Sequence, residues 1–141
     1  MRPNPNTSLD MSLFGSFFKN SSSDDASPGS FDLLENNGQL LDAVNASEST
    51  PFVIFKHSTR CTISTIVLNK FTAKYKDTKV AQILLLDLIA YRDLSNEISA
   101  LFEVEHQSPQ VIVVKNKKVV FHGSHYEINE LDLETVLAST Y

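Results

Sequence analysis

Three short apolar runs constrain this chain more than any other feature. "PFVIF" (51–55), "AQILLLDLI" (81–89) and "SPQVIVVK" (108–115) are nearly continuous in apolar, β-forming residues. Strands that are apolar throughout bury both faces, so something must cover each side of their sheet. The covers lie between the runs. Ile63, Val67, Phe71 and Tyr75 recur at helical spacing with Ile66 beside them, and "DLSNEISALFEV" repeats the pattern with Leu94, Ile98, Leu101 and Phe102. Both stripes predict helices. A strand–helix–strand–helix–strand order brings parallel crossovers with it.

The flanks extend the string. "FDLL" (31–34) predicts a short edge strand, and "ENNGQLLDAVNAS" a helix with Leu40, Leu41 and Val44 on one face. Gly38 and the paired asparagines should weaken that helix's first turn. Ser58 and Thr59 are N-cap candidates for the second helix, and Asp93 or Ser95 for the third. "KNKK" makes a tight turn between "SPQVIVVK" and "VVFHGS" (119–124), asparagine tolerating positive φ. "EINELDLETVLAS" (127–139) predicts a final helix carrying Ile128, Leu131, Leu133, Val136 and Leu137. The order β-α-β-α-β-α-β-β-α requires a mixed sheet of four to five strands with helices on both faces. A thioredoxin-like α/β fold satisfies it, as do other α/β folds.

Residues 1–30 read differently. "KNSSSDDASPGS" holds too little apolar surface to offset the entropy of ordering, so 1–30 is expected to be a flexible tail and 31–141 a single domain. "SLFGSFF" is the exception within the tail and could dock as a short amphipathic piece, and Met11 is a second candidate start. The charge of -5, from 12 Lys+Arg against 17 Asp+Glu, argues against a nucleic-acid partner. No run approaches the roughly 18 apolar residues of a membrane span. The opening does not read as a secretory signal. One cysteine cannot close an internal disulfide, which makes a reducing cytoplasm the expected compartment.

That cysteine, Cys61 in "FKHSTRCTIST", is the candidate for chemistry. A free cysteine is commonly a small buried hydrophobe. Cys61 instead falls at a strand-to-helix junction, where unpaired N–H groups and the helix dipole favour a thiolate. Arg60, Lys56 and His57 lie close in sequence, and cationic charge there would act in the same direction. His57 could also shuttle a proton near neutral pH, or simply end a strand. Ser64, one turn on, is placed to hydrogen-bond the sulfur. Pro109, opening a strand, is at its simplest an edge-strand proline.

"VIFKHSTRCTIS", "LLLDLIAYRDLSN", "HQSPQVIVVKNKKVVFHGSHYEI" and the leader "SLFGSFF" together resemble the bacillithiol-system redox proteins of the YtxJ family, the monothiol bacilliredoxins. The resemblance covers residues 31–141, with "FKHSTRC" and "SPQ" its most specific blocks. It implies a thioredoxin fold with one active-site cysteine, Cys61, and a cis-proline, Pro109, facing it. Ser108 would then offer its backbone to a bound disulfide as an added strand does. The implied activity is thiol–disulfide exchange that removes bacillithiol from client proteins. Arg60 and Lys56 would attract the malate carboxylates of bacillithiol. Ser64 stands where a Cys-x-x-Cys protein has its resolving cysteine, so free bacillithiol, a co-substrate and not a bound cofactor, is the implied resolving thiol. Nothing in the pattern calls for more than a monomer.

Two other classes stay open on the residues alone. A non-catalytic thioredoxin-fold binding module would leave Cys61 inert. A carrier like the monothiol glutaredoxins would bridge an iron–sulfur cluster between two subunits, although "CTIS" lacks their glycine signature. His57, His106, His122 and His125 show no zinc-site spacing with Cys61, so no metal is expected.

Overall fold

The computed structural model describes residues 31–138 of the chain. The expectations for residues 1–30 lie outside the described residues. Five strands form one sheet: β1 (Asp32–Leu33), β2 (Phe52–His57), β3 (Gln82–Asp87), β4 (Gln110–Lys115) and β5 (Lys118–Ser124). Helices α1 (Asn37–Ala46), α2 (Thr62–Tyr75) and α3 (Arg92–Phe102) connect the first four. A 3₁₀ helix (His125–Glu130) and α4 (Leu133–Ala138) close the chain. The order across the sheet is β1-β3-β2-β4-β5. β3 runs parallel to β1 and β2, whereas β4 is antiparallel to β2 and β5. The mixed α/β sheet expected from the apolar runs is therefore present.

Each face of the sheet has its own core. Val53, Phe55, Ile83, Leu85, Val111 and Val113 pack under α2, the 3₁₀ helix and α4. Their alternating neighbours Phe52, Ile54, Leu84, Leu86, Ile112 and Val114 pack under α1 and α3. Phe71 of α2 is the hub of the first core, its ring 5.0 Å from Phe55, 4.9 Å from Tyr75 and 5.8 Å from Phe31.

The helices bury a narrower face than their sequences suggest. α2 turns Ser64, Val67, Leu68, Phe71 and Tyr75 inward and leaves Ile63 and Ile66 exposed. Leu41 of α1 and Leu101 of α3 are also exposed. In each case one helical stripe is enough to cover the sheet, and a residue beside it points to solvent. Nor do the asparagines weaken α1. Asn36 Oδ1 accepts the Gln39 N–H at 2.9 Å, and Gln39 Oε1 accepts the Asn36 N–H at 3.1 Å. That reciprocal pair is a capping box, which satisfies donors the first turn otherwise leaves open.

Ser58 and Thr59 do not cap α2, and neither Asp93 nor Ser95 caps α3. The N-cap positions belong to Cys61 and Tyr91. The single C-terminal helix is two pieces. Leu131 returns to extended backbone, and Asp132 restarts the helix by accepting the Thr135 N–H at 3.2 Å and hydroxyl at 3.0 Å. Tyr75 anchors the break: its hydroxyl donates to Leu131 O at 2.7 Å and accepts the Leu133 N–H at 3.1 Å. The β4–β5 turn puts Asn116 and Lys117 at φ 54 and 66. Two positive values in succession match the right-handed twist of a hairpin. Buried Ser47 holds the turn, accepting the Asn116 N–H at its carbonyl and the Lys117 N–H at its hydroxyl.

Candidate active site

The C-terminal end of β2 and the N-terminal end of β4 meet at one edge of the molecule, with Lys56 and Gln110 paired across the two strands. From that end the chain runs through Ser58–Arg60 into α2, and Pro109 immediately precedes β4. Topology thus brings the candidate thiol and the candidate platform to the same end of the sheet.

Cys61 is partly exposed and is the N-cap residue of α2. Its backbone is extended (φ -114, ψ 120), and its side chain makes no capping hydrogen bond. The sulfur is therefore not engaged by its own helix, and the first-turn N–H groups remain near an anion placed there. The approach is fixed by backbone: Cys61 N–H donates to Ser58 O at 3.2 Å, and Thr65 N–H donates to Cys61 O at 3.1 Å. Arg60 is exposed, and its N–H donates to Ser58 Oγ at 3.4 Å.

The first turn of α2 and the end of β2 share a polar pair. Ser64 is fully buried, and its Oγ lies 2.7 Å from His57 Nδ1 while accepting the Ser58 N–H at 3.1 Å. With one lone pair of Oγ occupied, the serine hydroxyl is free to donate to Nδ1, which fits a neutral imidazole carrying its proton on Nε2. Burial pushes the His57 pKa down, and the Asp87 carboxylate partly opposes that. Asp87 is the β3 register partner of His57, and its Oδ1 also accepts the Ile89 and Ala90 N–H groups.

Lys56 does not join this group, which corrects the expectation of a second cation beside the thiol. Along β2, Phe52, Ile54 and Lys56 point to the α3 face, whereas Val53, Phe55 and His57 point to the α2 face. Strand alternation sends neighbours in sequence to opposite sides. The Lys56 ammonium is wholly buried and donates to Ser95 O at 3.1 Å and Ser99 Oγ at 3.2 Å, with His106 Nδ1 at 3.4 Å. Loss of hydration lowers its pKa from 10.5 to about 8. Sequence reasoning weighed His106 only as a metal ligand and missed it as a partner of Lys56. The β2 alternation could have revealed where Lys56 points, but nothing local could have named its partners.

Pro109 is buried and follows a cis peptide bond from Ser108. Its carbonyl accepts the His125 N–H at 3.0 Å, which ties it to the start of the 3₁₀ helix. Ser108 is half-buried, and its hydroxyl oxygen is shielded from solvent without a hydrogen-bond partner among the described residues. The structure thus pairs His57 with Ser64. The serine hydroxyl is taken up by that ring and the Ser58 N–H and not, as expected, by the Cys61 sulfur. Ser108 and Pro109 are set at the same sheet end as Cys61, and Lys56 is turned away.

Comparison with known proteins identifies the family and the fold. The family described as monothiol bacilliredoxin BrxC matches residues 32–133. A solved structure described as a proposed oxidoreductase with a thioredoxin fold is 25% identical, with a TM-score of 0.65, covering 75% of this chain and 92% of its own. Thioredoxin f from spinach chloroplast is 17% identical at a TM-score of 0.61, covering 81% of this chain and 96% of its own. Thioredoxin from Malassezia sympodialis is 15% identical at 0.61, covering 78% and 90%. The last two speak for the fold alone.

Proposed function

The chain belongs to the monothiol bacilliredoxin BrxC family, thiol redox proteins on a thioredoxin fold, and from that premise we propose that Cys61 strips bacillithiol from client proteins in the cytoplasm, acting as a monomer. The observation that carries this reading is the Cys61 side chain: partly exposed at a helix N-terminus and unused by its own helix.

The exchange proceeds in two displacements. The Cys61 thiolate attacks the bacillithiol sulfur of a client mixed disulfide. A new sulfur–sulfur bond forms on Cys61, the old one breaks, and the client leaves as a thiolate that takes up a proton. A second bacillithiol thiolate then attacks the bacillithiol sulfur held on Cys61. Bacillithiol disulfide departs and the Cys61 thiolate is restored. Each step transfers one disulfide, so electrons balance without a further oxidant or reductant. Ser64 occupies the resolving position and carries no thiol, so the second step needs the external thiol.

His57 and Ser64 take the part of a buried relay. In this relay Ser64 passes its own proton to Nδ1 as it takes up the one released when the thiol ionises, and the reverse transfer returns a proton toward the leaving client. Arg60, exposed and next to Cys61 in sequence, is the cation available to the carboxylates of bacillithiol. Ser108 and Pro109 supply the platform along which a client segment lies.

The test is intact mass after mixing the reduced protein with a bacillithiol-modified client, beside Cys61→Ser. One bacillithiol on Cys61, a freed client and removal of the adduct by free bacillithiol are expected. A client that stays modified while Cys61 also resists iodoacetamide would make the domain a binding module.

A further inference from the structure

A buried lysine without an acid partner is costly to keep. Lys56 is 0% exposed, and among the described residues its partners are a helix carbonyl, a serine hydroxyl and an imidazole. It is also not isolated. Its cross-strand neighbour Gln110 is 2% exposed and points to the same face. Gln110 Nε2 donates to Glu105 O at 2.9 Å, while its Oε1 has no partner among the described residues. Ser95 Oγ lies 3.3 Å from the same His106 Nδ1 that faces Lys56. Nδ1 is then the acceptor, and His106 is neutral. Two polar side chains, one on β2 and one on β4, therefore grip consecutive residues of a single segment, Glu105 and His106. That segment leads directly into Ser108 and Pro109.

We propose that Lys56 is a positioning residue, its ammonium tying the His106 segment to α3 so that Ser108 and Pro109 hold their place against the strand that delivers Cys61. The idea rests on the reading of Cys61 as the exchanging thiol and of Ser108 and Pro109 as its platform. It adds a regulator to that site, because a neutral lysine gives up one of its three N–H donors. The groups facing Lys56 are His106 from the segment, Ser95 and Ser99 from α3, Gln110 from β4 and Leu86 from β3. Only His106 among them titrates, and Arg92 at the start of α3 adds to the charge that keeps it neutral. Above about pH 8 the grip loosens as Lys56 loses its proton.

The experiment compares the full chain with Lys56→Met and His106→Ala. Two rates are read on Cys61: alkylation by iodoacetamide, which needs no platform, and exchange with a bacillithiol-modified peptide, which does. Lys56→Met should alkylate within about twofold of the parent and exchange about tenfold more slowly, mainly through a higher KM. The ratio of exchange to alkylation should fall above about pH 8 in the parent and stay flat in Lys56→Met. Amide hydrogen exchange over residues 104–108 should quicken in both variants. Equal effects on the two rates, a ratio flat with pH in the parent, or an unchanged segment would each overturn the proposal. A parent protein that alkylates but never exchanges would instead sink the thiol-transfer reading. Segment protection would still decide whether Lys56 is the tie.

Discussion

Ser64 Oγ and His57 Nδ1 lie 2.7 Å apart, joining the first turn of α2 to the end of β2. The serine occupies the place where a two-cysteine protein would carry its second sulfur. On the proposed reading of Cys61 as the exchanging thiol, one substitution would therefore change the mechanism.

Ser64→Cys should convert the protein into a dithiol enzyme. Residues three apart on a helix have Cβ atoms about 5–6 Å apart, close enough for a disulfide after modest adjustment. After taking bacillithiol onto Cys61, the variant should release it without added thiol. Adduct loss should then be on the order of a hundredfold faster, because the attack has become intramolecular. Mass spectrometry would find a product two hydrogens lighter than the reduced chain. An adduct that persists would mean that the buried position cannot reach the sulfur.

Acid should weaken the fold through its histidines. Burial lowers the pKa of both His57 and His106 below 6.5, so the native state prefers them neutral. A lowered pKa contributes stability above the unfolded value and loses it as pH falls through the folded value. The urea midpoint should therefore drop below about pH 6.5. His57→Gln combined with His106→Gln should flatten that part of the profile, and a parent curve already flat there would contradict the assignment.

Lys56→Met should stabilise the protein by about 1–3 kcal/mol at neutral pH, since a buried charge without an acid partner is exchanged for an apolar chain of similar length. The sign follows from the pKa, lowered from 10.5 to about 8: below 8 the parent carries the full cost of a buried ammonium, and above 10.5 it carries none. Urea titrations at rising pH should show the gap between variant and parent closing across that range. A destabilised variant would mean that the hydrogen bonds of Lys56 outweigh its desolvation.

The strands and their order were legible because "PFVIF", "ILLLD" and "VIVVK" are apolar over most of their length, and a central strand has no other use for such a run. The helix faces were less so. Leu41, Ile63, Ile66 and Leu101 fit a helical stripe as well as their buried neighbours do, and only the sheet decides which stripe is covered. The final helix was misjudged because Tyr75, more than fifty residues away, supplies the hydroxyl at the Leu131 break. Cys61 could be found from its place at a strand–helix junction. The reach of Lys56 to His106 could not, because it is a contact across three elements.

The strands at the two edges of the sheet have a consequence for how this protein behaves in a crowded solution. Central strands as apolar as β2 and β4 would be efficient templates for aggregation if either lay open. Each is instead enclosed by neighbours. β1, at one margin, is only Asp32 and Leu33, too short to seed a ladder with another molecule. β5, at the other, pairs with β4 through a register shift between Val113 and Val114 of β4 and starts with Lys118, next to Lys117 in the turn. The stickiest segments of the domain thus sit inside the sheet, where a second copy finds neither of their edges open for pairing.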